Sequence, residues 1–215
     1  TGDVGSGKST VARMVADALQ CELVSTGAIQ RQIAAEAGIS TLRLNEISMA
    51  DRSIDDRIDD HLRALGRSSR SIVIDSRLAW FFVPNSYKVY ITVDPVIAAQ
   101  RLTSARRAEE PYASVMEALQ ASLRRKTLED TRFAGLYGVH CDDMRNYDLV
   151  VDSTMANALQ VSRLVCSEAM SGIKQHDRPR GFLCPRRLLP TKAAGIIAGA
   201  TSSGLRNSFE QDGFP

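Results

Sequence analysis

Short apolar runs alternate with amphipathic segments of helical period over the first 170 residues of this chain. Three compact runs, residues 71–75, 87–93 and 147–152, predict buried strands, and residues 22–25 predict a shorter one. Continuous apolar runs of this kind are typical of parallel strands that are covered on both faces. Strands that alternate with helices predict an α/β fold with a parallel sheet.

Apolar side chains at helical spacing predict seven helices between and after these strands. The first begins near Lys8, and its buried face carries Val11, Ala12, Val15, Ala16 and Leu19. The others are predicted over residues 28–37, 40–50, 54–65, 96–107, 113–133 and 156–170. Helices that cross over between parallel strands cover both faces of the sheet. The expected architecture therefore has three layers, α/β/α.

The pattern changes after about residue 172. Pro179, Pro185 and Pro190 interrupt a segment rich in lysine and arginine, and four glycines follow. Proline and glycine at this density break helices and strands. We therefore expect one domain over residues 1–172, followed at 173–215 by a linker and the beginning of a second domain. Binding of nucleic acid is expected only through this basic segment, and a solvated linker is the alternative.

Composition narrows the class of protein. Hydrophobic residues make up 44% of the chain and charged residues 24%, which are ordinary globular values, and the net charge of +2 does not by itself indicate nucleic-acid binding. There is no apolar run of about 18 residues, so no membrane span is expected. The four cysteines are scattered without a C-x-x-C pair. Free thiols and a cytoplasmic protein without a zinc site are therefore expected.

A phosphate-binding motif, G-x-x-x-x-G-K-S, occupies residues 2–9. Its glycines let successive backbone N–H groups turn inward around an anion, and a helix that begins there adds its positive dipole end. In such a loop Lys8 reaches the β- and γ-phosphates and Ser9 ligates Mg²⁺. A Gly/Ser-rich turn before an ordinary helix is the alternative. The predicted ATP site consists of Gly2, Gly5, Ser6, Gly7, Lys8, Ser9 and Thr10.

Other polar residues fall where predicted strands end, the edge at which parallel α/β sheets bind ligands. Asp75 closes an Ile-Val-Ile run, and its carboxylate is expected to hold Mg²⁺ through water, unless the run is simply a buried strand that ends in an acid. Because a loop of this kind normally follows a buried strand, a strand is also expected upstream of Thr1. Candidate phosphate-binding arginines, each alternatively a solvated surface residue, are Arg31, Arg77, Arg101, Arg106, Arg107, Arg125 and Arg132.

Six segments, in order along residues 1–170, resemble the cytidylate kinases among the nucleoside monophosphate kinases. GSGKSTVARMVADAL is similar to the family's phosphate loop and first helix, STGAIQRQIAAEAGIS to its acceptor segment, and IVIDSRLAWF to its strand-plus-arginine element. NEISMADRSIDDRIDDHL, LRRKTLEDTRFAGLYGV and NYDLVVDST are similar to its I-D-x-x-I-D helix, its mobile lid helix and its final strand. The resemblance implies a P-loop NTPase fold with a helical lid.

The resemblance also implies roles for individual residues. Arg31 and Arg77 hold the acceptor phosphate, beside Ser25 and Gly27 of the acceptor segment. The lid carries R-[DE]-x-x-[DE]-x-x-R, in which the arginines face phosphates and the acid contacts the acceptor nucleoside. The residues that match this motif on one helix face are Arg125, Glu129 and Arg132.

Several positions near the implied acceptor pocket stay open. Asp55 and Asp59 share a helix face and either contact the acceptor or form caps and salt bridges. Trp80 and its two phenylalanine neighbours pack under the sheet edge or wall the acceptor base. Lys126 stands where the family has an acid, and Gln30 stands where the bacterial branch has an aromatic residue.

These features predict an enzyme that moves the γ-phosphoryl group of ATP to a nucleoside monophosphate, with CMP or dCMP favoured. The catalytic residues are expected to be Lys8, Arg77, Arg125 and Arg132, with Mg²⁺ held at Ser9 and Asp75. One alternative is a kinase for another small acceptor. The other is a regulatory ATP-binding module coupled to the C-terminal region, where FLCPRRLLPT and SSGLRNSFEQDGF resemble the opening of a ParB/sulfiredoxin-like domain.

Overall fold

The computed structural model describes residues 1–104, 112–173 and 187–188 of the 215-residue chain. Its strands are β1 (Glu22–Ser25), β2 (Ile72–Asp75), β3 (Val89–Thr92), β4 (Leu149–Asp152) and β5 (Arg187–Leu188). Its α-helices are α1 (Lys8–Leu19), α2 (Thr26–Glu36), α3 (Thr41–Ile47), α4 (Ser53–Gly66), α5 (Ala79–Phe82), α6 (Pro95–Ser104), α7 (Val115–Tyr137) and α8 (Ala158–Ile173). The predicted α/β architecture is confirmed.

All strand pairs in the described ranges are parallel. β1 pairs with β2, so that Ser25 lies beside Asp75, and β3 pairs with β4, so that Thr92 lies beside Asp152. The two-residue β5 runs along β4. The carboxyl ends of the four longer strands consequently present polar residues at the edge where the phosphate loop begins.

Most differences from the sequence prediction are at helix ends. The long helix α7 continues to Tyr137, four residues past the predicted end, because Gly138 adopts φ 66° and caps the helix by donating its N–H to the Ala134 carbonyl. The short helix α5 was not predicted, because four residues are too few to show a helical period of apolar positions. Arg106, Arg107 and the predicted ParB/sulfiredoxin-like opening at 178–215 lie outside the described residues, apart from the two residues of β5.

The main apolar core lies between helices α1 and α8 and strands β3 and β4. Val11 and Val15 of α1 pack against Ile91, Leu149 and Val161. The face of α1 predicted from its apolar spacing is thus the face that is buried. A second cluster joins Tyr90, Tyr147 and Val150, and Trp80 packs against it. Trp80 therefore has the core-packing role, one of the two left open by the sequence.

Two further expectations concern thiols and membranes. Cys21, Cys141 and Cys166 are free, while Cys184 falls outside the described residues. Within the described ranges, none of the helices combines the length and apolarity that crossing a bilayer requires.

A cavity of about 730 Å³ separates the β1–β2 pair from the β3–β4 pair. Its walls are apolar, with Ile72 and Val73 of β2 on one side, Val89 and Ile91 of β3 on the other, and helices α1 and α8 behind. Thr1 stands at its end in a parallel ladder with β3: the Thr1 amino group donates to the Val89 carbonyl at 2.8 Å, and Ile91 N–H donates to the Thr1 carbonyl at 3.1 Å. The cavity therefore has the position, between β2 and β3, and the apolar walls that an additional parallel strand would fill.

We predict that a short apolar extension upstream of Thr1 stabilises the domain. Four residues such as Val-Ile-Val-Ile continue the ladder with β3, bury apolar surface in the cavity and replace the buried Thr1 amine, whose pKa burial lowers to about 5, by an amide. We expect the melting temperature to rise by about 5 °C or more. A Gly-Ser-Gly-Ser extension is the control; an equal rise with that sequence would contradict the strand interpretation.

Candidate active site

The phosphate loop is a backbone turn that leads directly into α1. Gly5 and Gly7 adopt φ 78° and 81°, and Gly7 caps α1 without any side-chain cap. In the described part of the chain, the N–H groups of Gly7, Lys8 and Ser9 donate to no acceptor. Unpaired N–H groups that converge at a helix N-terminus bind anions.

The loop is anchored to β3 by a residue that the motif does not specify. Tyr90 Oη donates to Asp3 Oδ1 at 2.8 Å, and the N–H of Val93 donates to Asp3 Oδ2 at 3.4 Å. Ser153 Oγ, after β4, donates to the Ser6 carbonyl at 3.0 Å. Sequence reasoning missed this role of Asp3, because Asp3 occupies a variable position of the motif. The one sequence feature that could have indicated it is a charged residue in a loop flanked by buried segments.

Ser9 and Asp75 lie together at the carboxyl end of β2. Ser9 Oγ donates to Asp75 Oδ2 at 2.6 Å, and Ser25 Oγ donates to the same oxygen at 3.2 Å. Burial alone raises the pKa of Asp75, but Lys8 and the two hydroxyls outweigh it, so the pKa is lowered and the group is a carboxylate. A hydroxyl beside a carboxylate is an oxygen donor set that suits Mg²⁺.

The described residues hold no cluster of three or more His, Cys, Asp or Glu side chains that could bind a metal by themselves. A divalent ion here would therefore need water and phosphate oxygens to complete its shell, which is how Mg²⁺ is bound in phosphoryl-transfer sites.

A single cavity of about 220 Å³ brings the phosphate loop together with the predicted acceptor residues. The predicted site residues that line it are Gly5, Gly7, Lys8, Ser9, Thr10, Gly27, Arg31, Asp55, Asp59, Asp75, Arg77 and Arg125. The predicted residues outside its lining are Gly2, Ser6, Ser25, Glu129 and Arg132. Ser25 instead caps α2, accepting from the Ala28 N–H at 3.2 Å.

Two arginines of the cavity wall share one carboxylate. Arg77 Nε contacts Glu129 Oε2 at 2.9 Å, and Arg125 Nε contacts Glu129 Oε1 at 2.8 Å. A terminal nitrogen of Arg77 donates to the Gly2 carbonyl at 2.6 Å. Burial would raise the pKa of Glu129, but Arg77 and Arg125 outweigh it and hold the pKa at about 2. Glu129 is therefore an anion behind the two arginines.

Arg132 and Arg31 differ in their surroundings. Arg132 is 4% exposed, its Nε lies 3.1 Å from Asp55 Oδ2, and Nη1 donates to the Asn45 carbonyl at 3.3 Å. Arg31 lines the cavity, and its side chain forms neither a hydrogen bond nor an ion pair with any described residue. Arg31 is thus available to an anion, whereas Arg132 ties α7 to α4.

Asp55 and Asp59, one turn apart on α4, both line the cavity although they are nearly inaccessible. Tyr137 Oη donates to Asp59 Oδ2 at 2.7 Å, and the Asp55 contact to Arg132 also uses Oδ2. Burial raises the pKa of both carboxyl groups; Tyr137 opposes the shift at Asp59, and Arg132 opposes it at Asp55. The salt-bridge role left open for Asp55 is therefore present, and the cavity lining leaves acceptor contact open for both.

Arg101 of α6 adds a contact to this edge. It lines the cavity, and its Nη2 donates to the carbonyls of Ser153 and Thr154 at 2.6 and 3.2 Å. These bonds fix the loop after β4 beside the phosphate loop. Lys126, which departs from the acidic residue of the resembled lid motif, pairs with Asp130 at 2.9 Å and is not part of the cavity lining.

Comparison with known proteins agrees with this geometry. Residues 1–155 match the model of the cytidylate kinase-like family. The chain belongs to this family. Membership assigns it to the nucleotide-binding, kinase-like phosphotransferases; the match ends before residue 178 and gives no support for the ParB/sulfiredoxin-like opening.

Two relatives and one solved structure show the range of similarity. A cytidylate kinase of Methanosarcina barkeri is 33% identical over 160 residues, 73% of this chain and 87% of that protein. An S-adenosylmethionine-dependent nucleotide dehydratase of Lacinutrix mariniflava is 34% identical over 77% of this chain, which spans only 34% of that protein. A shikimate kinase from Bacteroides thetaiotaomicron shares the fold, with TM-score 0.50 and 14% identity over 80% of this chain and 96% of its own.

We predict unequal costs for alanine at two loop glycines of this cytidylate kinase-like protein. A Cβ at Gly5 lies 2.8 Å from the Ala98 carbonyl, in addition to the strain of its positive φ, whereas a Cβ at Gly7 meets nothing within 4 Å. Gly7→Ala should cost about 1 kcal/mol of unfolding free energy, the price of the left-handed conformation alone. Gly5→Ala should cost at least about 2 kcal/mol more. Urea unfolding measures both, and equal losses would contradict the close approach of α6.

A second prediction concerns the pH dependence of nucleotide binding. Burial, reinforced by Arg77 and opposed by Asp75, lowers the pKa of Lys8 to about 7 in the free protein. Phosphate binding requires the charged ammonium, so above pH 7 binding takes up a proton, and ATP affinity should fall about tenfold per pH unit between pH 7.5 and 9.

Calorimetry in buffers of different ionisation enthalpy measures this proton uptake directly. Lys8→Arg keeps its charge throughout this range, so its ATP affinity should be nearly independent of pH. A wild-type affinity as flat as that of the variant would contradict the lowered pKa of Lys8.

Proposed function

We propose that this protein transfers the γ-phosphoryl group of ATP to the phosphate of a nucleoside monophosphate, with CMP or dCMP as the preferred acceptor. The observation that carries the proposal is the single cavity that Lys8 and Ser9 of the phosphate loop line together with Arg31 and Arg77. Two phosphate-bearing substrates can meet there end to end. The cytidylate kinases among its relatives support the acceptor class.

The donor phosphates bind to the loop. Unpaired N–H groups at the start of α1 and the Lys8 ammonium contact the β- and γ-phosphates, while Ser9 and Asp75 hold Mg²⁺. The ion, when bound, neutralises charge on the β- and γ-oxygens. The contribution of the protein is to position the phosphates, because phosphoryl transfer needs little covalent chemistry from side chains.

The acceptor phosphate binds to arginines from three elements. Arg31 comes from α2, Arg77 from the segment after β2 and Arg125 from α7, and all three line the cavity. Guanidinium groups suit a phosphate because they donate two parallel hydrogen bonds. Since the acceptor phosphate is already anionic, no strong general base is required. The lid helix α7 excludes water that would otherwise hydrolyse ATP.

The base is recognised by Asp55 and Asp59. A carboxylate accepts a hydrogen bond from the exocyclic amino group of cytosine or adenine. Uracil presents a carbonyl oxygen at the position of the cytosine amino group, and a carboxylate repels that oxygen. Asp55 and Asp59 line the same cavity as Arg31 and Arg77, which supports a contact between these carboxyl groups and an acceptor held there.

We expect CMP and dCMP to yield their diphosphates with Mg²⁺ and ATP, faster than UMP or GMP. Asp59→Asn should lower kcat/KM for CMP about 10- to 100-fold, the cost of a lost hydrogen bond to a charged group, with a smaller effect on UMP. Asp60→Asn is the matched control, because Asp60 is the adjacent exposed residue of α4 and pairs with Arg63, which lies 3.9 Å from Asp59 Oδ2.

A coupled assay for ADP, checked by chromatography of the nucleotides, measures both expectations. Release of ADP only by hydrolysis, or no ADP with any monophosphate, would overturn the proposed function. A panel of nucleosides and hydroxyl metabolites then tests the alternative of another small acceptor.

A further inference from the structure

Glu129 is the carboxylate that Arg77 and Arg125 share, and its surroundings differ from those of a substrate contact. It is 3% exposed and does not line the cavity, while the side chains of Arg77 and Arg125 are 17% and 15% exposed and do line it. The side chains of Arg77 and Arg125, and not that of Glu129, therefore face the cavity in which an acceptor would bind.

The atoms used in these contacts also matter. Glu129 engages each arginine through Nε, one carboxylate oxygen per guanidinium. The terminal nitrogens lie on the other side of each guanidinium: one of Arg77 donates to the Gly2 carbonyl of the phosphate loop, and one of Arg125 donates to Thr41 Oγ1 at 3.4 Å. A guanidinium held from its Nε side presents its outer edge in a fixed direction.

The cations at this point need a nearby anion. Lys8 interacts electrostatically with Arg77 and Arg125, and Glu129 interacts with all three cations. Like charges brought together in a poorly solvated site repel unless a carboxylate lies among them. Glu129 supplies that carboxylate from the lid helix α7, so the arrangement of the two arginines depends on where α7 sits.

We propose that Glu129 is a positioning residue for the acceptor phosphate: it holds Arg77 and Arg125 side by side with their outer edges toward the cavity, and it does not contact the nucleoside. This rests on the proposed function, whose acceptor carries a phosphate. It replaces the nucleoside contact that the family resemblance implied for this residue. The lid thereby sets the affinity for phosphate and leaves base selection to α4.

Two fragments of the acceptor separate these roles, since ribose 5-phosphate carries the phosphate without a base and cytidine carries the base without a phosphate. Binding of each is measured by calorimetry on the 215-residue chain, without ATP or turnover. In Glu129→Gln the amide turns a donor toward one guanidinium and the shared charge is lost. We expect the affinity for ribose 5-phosphate to fall about tenfold or more, as when one member of a buried charge pair is removed, and the affinity for cytidine to stay unchanged.

Asp130→Asn is the matched control, because Asp130 is the next residue of α7 and pairs with Lys126 outside the cavity. It should leave both affinities unchanged. Glu129→Asp keeps the charge but is too short to reach both arginines, and it should weaken ribose 5-phosphate selectively if Glu129→Gln does not fold.

A fall in cytidine affinity alone, an equal fall for both fragments, no change for either, or no binding of ribose 5-phosphate to the wild-type protein would each overturn the proposal. These results are separate from a failure of the proposed function. A protein that binds both fragments as expected yet phosphorylates no monophosphate would refute the kinase reaction and leave the role of Glu129 standing.

Discussion

The charge balance at the carboxyl edge of the sheet is the constraint on which the rest of this structure depends. The fold gathers Lys8, Arg31, Arg77 and Arg125 around one small cavity. Such a concentration of positive charge, partly removed from water, is costly without nearby anions. Glu129 on α7 and Asp75 at the end of β2 provide them: Glu129 lies 2.8 Å from Arg125 Nε, and Asp75 interacts electrostatically with Lys8.

The anions come from different layers of the protein, and this connects substrate binding to the fold. Asp75 belongs to the sheet, Glu129 to the lid helix and Asp55 to α4. Asp3 performs a related task for the loop itself, because its carboxylate receives the Tyr90 hydroxyl from a core strand. The phosphate loop is therefore held in shape before any phosphate arrives, which reduces the conformational entropy lost on binding.

Much of this could be predicted from the sequence, and the reasons differ between elements. The strands and the buried face of α1 were predictable because apolar spacing reports burial directly. The motif located the loop because each glycine and the Lys8 side chain have a fixed role. The extent of α7 was harder to predict, since Gly138 as a cap is visible only once the chain turns there.

The pairing of charges could not be read from spacing. Arg125, Glu129 and Arg132 share a helix face, but which of them meets the cavity depends on the elements opposite α7. Arg132 pairs with Asp55 of α4, and Glu129 pairs with Arg77, which is distant from it in the chain. The separation of the β1–β2 and β3–β4 pairs was likewise hidden, because pairing between strands is a long-range property that no local pattern contains.

Arg77 connects two parts of the site. It donates a hydrogen bond to the Gly2 carbonyl of the phosphate loop, and it also lines the cavity with Arg31 and Arg125. In the proposed reaction, a shift of the loop on ATP binding would move this guanidinium, and a shift of Arg77 toward an acceptor would move Gly2. Thermodynamic reciprocity then requires that each substrate alter the affinity for the other by the same factor. Arg77 would thus couple binding at the phosphate loop to binding of the acceptor in the cavity.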